Sequence, residues 1–302
     1  MNVRLGINTG FAVNRYPAPR QWVPLIGKTL GLKIVQLTAD LLNPSWPEDI
    51  IEGQVREIQS LSEQYGVKVR QTFTGAFTRL NHLAYPDAAL REYWVKWFCR
   101  FADISAALGA ESMGSHFGIL TTEDYDDPRK RQERFEQNVD GWRRISEHAQ
   151  GCGLQYLTWE PMSIGREMGE TIPETQRIHA RVNAVTAIPM KLCLDVDHGD
   201  VASPDPDDTD PLAWIRNFGA EAPIIHIKQT SRNKGGHWPF TPEHNQNGRI
   251  TPGVLIQALE ESGAQDVTLL LELSFRERQP FDSRVVDDIR ASIDFWRPYV
   301  VI

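Results

Sequence analysis

Short apolar runs alternate with longer amphipathic stretches along the whole chain. Runs at 3–8, 33–38, 67–72, 111–115, 154–160, 191–195, 224–228 and 267–274 are too brief for helices, and most are dominated by Val, Ile and Leu. That profile predicts strands buried on both faces. The stretches between them carry apolar residues at helical spacing. Ile51, Val55, Ile58, Leu61 and Tyr65 share one face of a helix opening at Ser45-Trp-Pro47-Glu48. There Ser45 and Glu48 predict a capping box, Pro47 suits the first turn, and Gly66 predicts the stop. Leu90, Trp94, Trp97, Phe101, Ile104 and Leu108 predict a long helix over 86–108, and Phe135, Val139, Trp142 and Ala149 the inward face of another over 129–150. Further helices are expected at 22–30, 173–184, 210–217, 251–262 and 283–297.

Eight strand–helix units in unbroken alternation imply right-handed crossovers and a parallel sheet. With eight of them the expected architecture is an α/β (β/α)8 TIM barrel, a single domain over 1–302. A doubly wound open sheet is the competing arrangement. It is disfavoured because Gly6 and Gly10 after the first strand do not make a dinucleotide-binding loop. The segment 229–250 after the seventh strand is unusually long and is expected to lie over the active site, with Gly235-Gly236 as a hinge for a lid over 231–249.

Composition narrows the function. The 302 residues are 41% hydrophobic and 24% charged, which suits a globular protein with an ample core. A net charge of −8 argues against a nucleic-acid partner, because phosphate-backbone binding relies on clustered Lys and Arg. There is no signal-peptide pattern and no run of about 18 apolar residues, so no membrane association is expected and a cytoplasmic location is. Cys99, Cys152 and Cys193 are too widely spaced for a disulfide framework or a cysteine zinc site.

The chemistry gathers where the strands end. Glu160, Asp195, His226 and Glu272 sit at or near the C-terminal ends of the fifth to eighth strands, the end at which TIM barrels place their active sites. A lone carboxylate there is more often a cap or an ion-pair partner; four candidate ligands on consecutive strands are harder to explain that way. Two Glu, one Asp and one His make a mostly hard-oxygen set suited to Mn²⁺ or Mg²⁺, with Co²⁺ tolerated. Asp197 competes with Asp195, since residues two apart face the same side of a strand. His116, Asn8 and Gln71 also end strands and are candidates for substrate contact, each with a bland alternative as a satisfied buried group.

These residues resemble the xylose-isomerase-like barrels, specifically the ketose 3-epimerases of the tagatose/psicose type. In that family a Glu, an Asp, a His and a Glu on strands 5 to 8 hold one divalent metal, which would here be Glu160, Asp195, His226 and Glu272. The family also has a His three residues after its Asp and an Arg six residues after its His, both touching substrate; His198 and Arg232 stand at those offsets. The resemblance therefore selects Asp195 over Asp197. It implies that Glu160 and Glu272 flank the reacting carbon, one removing a proton and the other returning one, by way of a metal-stabilised enediolate. Proton return to the neighbouring carbon would make the same site an aldose–ketose isomerase. The resemblance also admits a homo-oligomer, dimer or tetramer.

One departure points to the substrate. Where epimerases of free ketoses carry a second Glu six residues after the first, this chain has Arg166, with Glu167 beside it. The long loop adds Lys228, Arg232, Lys234, His237 and Arg249 against one acid, Glu243. Arg166, Lys228 and Arg232 are thus expected to favour an anionic substrate, a tetrulose or pentulose phosphate. Two other classes compete. An endonuclease IV-like phosphodiesterase would need a His where the third strand has Gln71, and an Asp where Lys228 stands. A non-catalytic sugar-phosphate-binding barrel would have no need of an intact ligand set.

Overall fold

In the computed structural model, which describes residues 1–231 and 234–302, the expected strands close on themselves. Among the described residues the barrel strands are β1 (Asn2–Asn8), β2 (Ile34–Thr38), β3 (Lys68–Phe73), β4 (Ser112–His116), β5 (Tyr156–Glu160), β6 (Met190–Asp195), β7 (Ile224–Ile227) and β10 (Asp266–Leu271). Each pairs in parallel with its neighbours, and β10 closes the ring between β7 and β1. The segment after β7 holds an antiparallel hairpin, β8 (Gln229–Ser231) and β9 (Lys234–Trp238). Helices α1 (Pro19–Pro24), α2 (Glu48–Tyr65), α3 (Ala88–Ala107), α4 (Thr122–Asp126) and α5 (Pro128–Gly151) follow the first four strands. Then come α6 (Ile172–Asn183), α7 (Pro211–Phe218), α8 (Pro242–Asn245), α9 (Pro252–Glu261) and α10 (Phe281–Trp296). No helix among the described residues is long and apolar enough to cross a membrane.

The apolar stripes do what their spacing predicts. Ile51, Val55 and Ile58 of α2, and Phe135, Val139, Trp142 and Ala149 of α5, are buried against the barrel. Leu90 is an exception: it lies in the first turn of α3 and is exposed. Two local signals also resolve differently. The capping box does not form, because Ser45 Oγ pairs with Tyr93 Oη at 3.0 Å and accepts from Trp97 Nε1 at 3.1 Å, both on α3. The stretch 22–30 is not one regular helix. Pro24, which has no N–H to donate, ends α1, and the chain continues as a wider π turn over Leu25–Leu30 before Gly31 at φ 73°.

At the strand N-terminal end the barrel interior is closed by Arg70 of β3. It reaches Thr268 Oγ1 at 2.6 Å, Glu111 Oε2 at 3.1 Å and Asp266 Oδ2 at 3.1 Å, spanning from β3 to β10. Its side chain is 10% exposed while Asp266 is 45% exposed, so the network is worth less than a fully buried one. Arg70→Met is expected to lower unfolding free energy by about 2 kcal/mol. Urea denaturation checks this, with the catalytic end of the barrel unaffected.

Candidate active site

Because β5, β6, β7 and β10 run in parallel register, their last residues arrive at one level. Asp195 lies opposite His226, and Glu272 N donates to Ile227 O at 3.0 Å just beyond the end of β10. The carboxylates of Glu160, Asp195 and Glu272 and the imidazole of His226 consequently bring ligand atoms within 4.8 Å of one another. The sequence-predicted quartet is assembled. Asp197 belongs elsewhere: it accepts from Thr230 Oγ1 and from Gly236 N at 3.1 Å, with Arg249 Nη2 at 3.6 Å, and so ties down the hairpin after β7.

The carboxyl groups of buried Glu160 and Asp195 and half-buried Glu272 repel one another, and two cationic groups answer them. Lys228 is fully buried, bonded to Asp195 Oδ2 and, at 2.9 Å, to Glu272 Oε2. Burial works against its charge, but Asp195 and Glu272 outweigh that and raise its pKa, so it stays an ammonium. Glu272 in turn is held well below the usual carboxylate range: its burial opposes ionisation, but His226 and Lys228 prevail. His226 Nδ1 lies 2.9 Å from Glu160 Oε1, and its Nε2 lies 2.8 Å from Gln36 Oε1. Both neighbours accept hydrogen bonds, so both ring nitrogens carry protons here. Burial alone would lower the pKa of this ring; the acids around it raise it well above the ordinary histidine value.

Behind His226 runs a chain of amides. Asn8 Nδ2 donates to Gln36 Oε1 at 2.5 Å, Gln36 Nε2 to Gln71 Oε1 at 2.6 Å, and Gln71 Nε2 to Thr158 Oγ1 at 2.6 Å. Gln36 Oε1 is thereby fixed as an acceptor and holds His226 Nε2 as a donor, leaving Nδ1 aimed at the three carboxylates. Gln36 escaped the sequence reading. Its signal was a lone amide inside the apolar run Ile34-Val35-Gln36-Leu37.

Above the quartet opens a cavity of about 720 Å³, lined by Glu160, Glu272, His198, His116, Asn8 and Arg79 among others. His198 Nδ1 bonds Pro161 O at 2.8 Å, and its Nε2 lies 3.8 Å from Asp195 Oδ2. The following Gly199 adopts φ 118°, and a Cβ there would lie 1.8 Å from Asp208 O, so only glycine allows the chain to turn where His198 is presented. His116 Nε2 donates to Leu80 O at 2.8 Å and its ring stacks on His82. Burial, with His82 and Arg79 nearby, depresses its pKa well below the usual value, which leaves a neutral imidazole.

Other expected contacts fall differently. Gln71 and Lys228 are buried in the bonds just described and do not line the cavity. Arg166 is turned away, with Nη1 on Leu120 O at 2.8 Å; its neighbour Glu167 faces the cavity and is paired with Arg79. The short helical turn at Gly165–Glu167 sends adjacent side chains in different directions, an outcome that offset counting does not foresee. Arg232 lies outside the described residues. From the hairpin, His237 Nδ1 reaches within 3.3 Å of Glu272 Oε2.

Comparison with known proteins identifies the family of the barrel. The family model for xylose isomerase-like TIM barrels matches residues 26–299. The D-erythrulose 1-phosphate 3-epimerase of Brucella abortus (strain 2308) is 45% identical over 301 residues, covering 99% of this chain and 97% of that protein. A crystal structure from Rhodospirillum rubrum ATCC 11170, provisionally described as a xylose isomerase, superposes with a TM-score of 0.89 at 26% identity, covering 98% of this chain and 99% of the other. The D-psicose 3-epimerase of Clostridium cellulolyticum H10, with D-tagatose, superposes with a TM-score of 0.72 at 17% identity, covering 99% of this chain and 100% of that one, a likeness of fold. The chain belongs to the xylose isomerase-like TIM-barrel family and is an enzyme of the isomerase class.

Proposed function

We propose that the protein is a 3-epimerase of a short ketose phosphate, of the erythrulose 1-phosphate class. The observation that carries this reading is the pair Glu160 and Glu272, which both line one cavity from separate strand ends and share one buried ligand cluster. The full-length similarity to a D-erythrulose 1-phosphate 3-epimerase supports the same substrate class.

The donor set fits a divalent cation. With His226 neutral, three carboxylates and the Lys228 ammonium leave a formal charge of −2, which one such ion balances. Glu160, Asp195, Glu272 and His226 Nδ1 would hold it, the ion taking the place of the Nδ1 proton. Oxygen-rich ligation favours Mn²⁺, with Mg²⁺ or Co²⁺ as alternatives. A bound ion would supply Lewis-acid polarisation of the ketose carbonyl.

The protein's own groups account for the inversion. Glu160 and Glu272 both line the cavity from separate strands; with the carbon beside the carbonyl between them, one Oε would take its proton while the other delivers one to the opposite face. Product and substrate differ only in handedness at that carbon, so the two carboxyls exchange roles when the reaction reverses. Lys228 and His237 hold Glu272, and His198 is placed to orient a substrate oxygen. The aldose–ketose isomerisation that the same carboxyls could perform has no separate observation in its favour.

Two measurements test the reading. Incubated with erythrulose 1-phosphate in D₂O and Mn²⁺, the enzyme is expected to introduce deuterium at C3 and to lose this activity in EDTA; exchange that survives EDTA would remove the quartet from the chemistry. Glu160→Gln and Glu272→Gln are each expected to lower turnover by about 10³-fold. Steady-state kinetics at saturating metal checks this, and full activity in either variant would count against a two-carboxyl mechanism.

A further inference from the structure

We propose that Arg79 forms the phosphate subsite of this cavity, binding a phosphate monoester dianion across the mouth from the ligand quartet. The inference deepens the ketose-phosphate reading above and rests on it. It begins from the guanidinium groups that line the cavity, Arg15 and Arg79 among the described residues. Arg15 is engaged on two sides, with Nε on Asp282 Oδ1 at 2.6 Å and Nη2 on Phe275 O at 2.9 Å. Arg79 differs. Its Nη2 is paired with Glu167, while the rest of its side chain, 37% exposed, lines the cavity. A guanidinium held on one side by a carboxylate keeps N–H donors on its accessible edge for an arriving anionic oxygen.

The position suits a ligand that reaches across the barrel. Arg79 lies on the loop after β3, and β3 stands opposite β7 in the ring. A ligand engaged at Glu160 and Glu272 therefore meets Arg79 with its far end. The loop is also held in place before any ligand arrives. Thr78 Oγ1 donates to Asp40 Oδ1 at 2.8 Å, His82 Nε2 bonds Thr78 O at 2.7 Å, and Leu80 O accepts from His116. Asn81 Nδ2 donates to Ile119 O at 2.5 Å on the next loop. The pair with Glu167 fixes the guanidinium, so Arg79 is a preorganised cation rather than a loose surface charge. Ser163, which like Glu167 follows β5, lines the same cavity and offers a further hydroxyl on that side.

The choice of phosphate follows from charge. Glu160, Glu167, Glu272 and Glu277 all line the cavity and repel a dianion, so a phosphate needs a guanidinium among them more than an uncharged sugar does. Arg166 was the residue expected to supply that charge, and it points elsewhere.

Inorganic phosphate is the probe that separates this subsite from the reaction. Its binding to the manganese-loaded protein would be followed by calorimetry and as competitive inhibition, in the wild type, Arg79→Ala and Arg79→Lys, with melting curves to confirm folding. Arg79→Ala is expected to weaken phosphate binding at least tenfold, and to raise KM for erythrulose 1-phosphate at least tenfold more than KM for free erythrulose. Arg79→Lys, which keeps the charge and loses the planar fork, should fall between. Equal phosphate affinity in the wild type and Arg79→Ala, or equal rises in both KM values, would overturn the assignment while leaving the epimerase reading intact. Phosphate binding that depends on Arg79 in a protein that turns over neither ketose would uphold the subsite and reject the reaction.

Discussion

Three carboxyl groups gathered in a buried space are the constraint on which the site depends. Glu160, Asp195 and Glu272 cannot share that space uncompensated, and the structure places Lys228 and a protonated His226 among them. This arrangement keeps the metal-free barrel foldable, because each buried charge has a partner of opposite sign. It also leaves room for one exchange: the His226 Nδ1 proton can give way to a divalent ion without disturbing Lys228.

The barrel supplies the geometry for this cluster. Parallel pairing sets the ends of β5, β6, β7 and β10 at one height, and closure turns four residues far apart in sequence into neighbours. Beneath them, the amide chain from Asn8 through Gln36 and Gln71 to Thr158 crosses the interior and decides which nitrogen of His226 faces the acids. Arg70 closes the opposite end, so polar groups at both ends of the barrel enclose an apolar wall.

Around the cluster the loops divide the work by direction. Asp197 anchors the hairpin after β7 that brings His237 to Glu272, and Gly199 permits the turn that presents His198. The turn after β5 sends Glu167 inward and Arg166 outward, and Glu167 then meets Arg79 from the loop after β3. The cationic side of the mouth is thus assembled from loops that local sequence offers no reason to pair.

By itself the sequence determined the elements of the fold and the metal-ligand candidates. A short apolar run and a 3.6-residue period are local properties, and a polar residue ending an apolar run announces itself, so the eight strands, most helix faces and the candidates Glu160, His226 and Glu272 were legible. The choice of Asp195 over Asp197 rested on the family resemblance. Only the tertiary structure decided what each polar side chain meets. Lys228 and Gln71 were expected to face substrate and are instead buried partners of the cluster, while Arg79, from an unremarked loop, faces the cavity in place of Arg166. Ser45 gave up a helix cap for two aromatic partners on another helix. The reason is common to all of these: a hydrogen bond or ion pair forms with whatever the closed barrel brings within about 3 Å, and that neighbour is set by packing across the chain rather than by spacing along it.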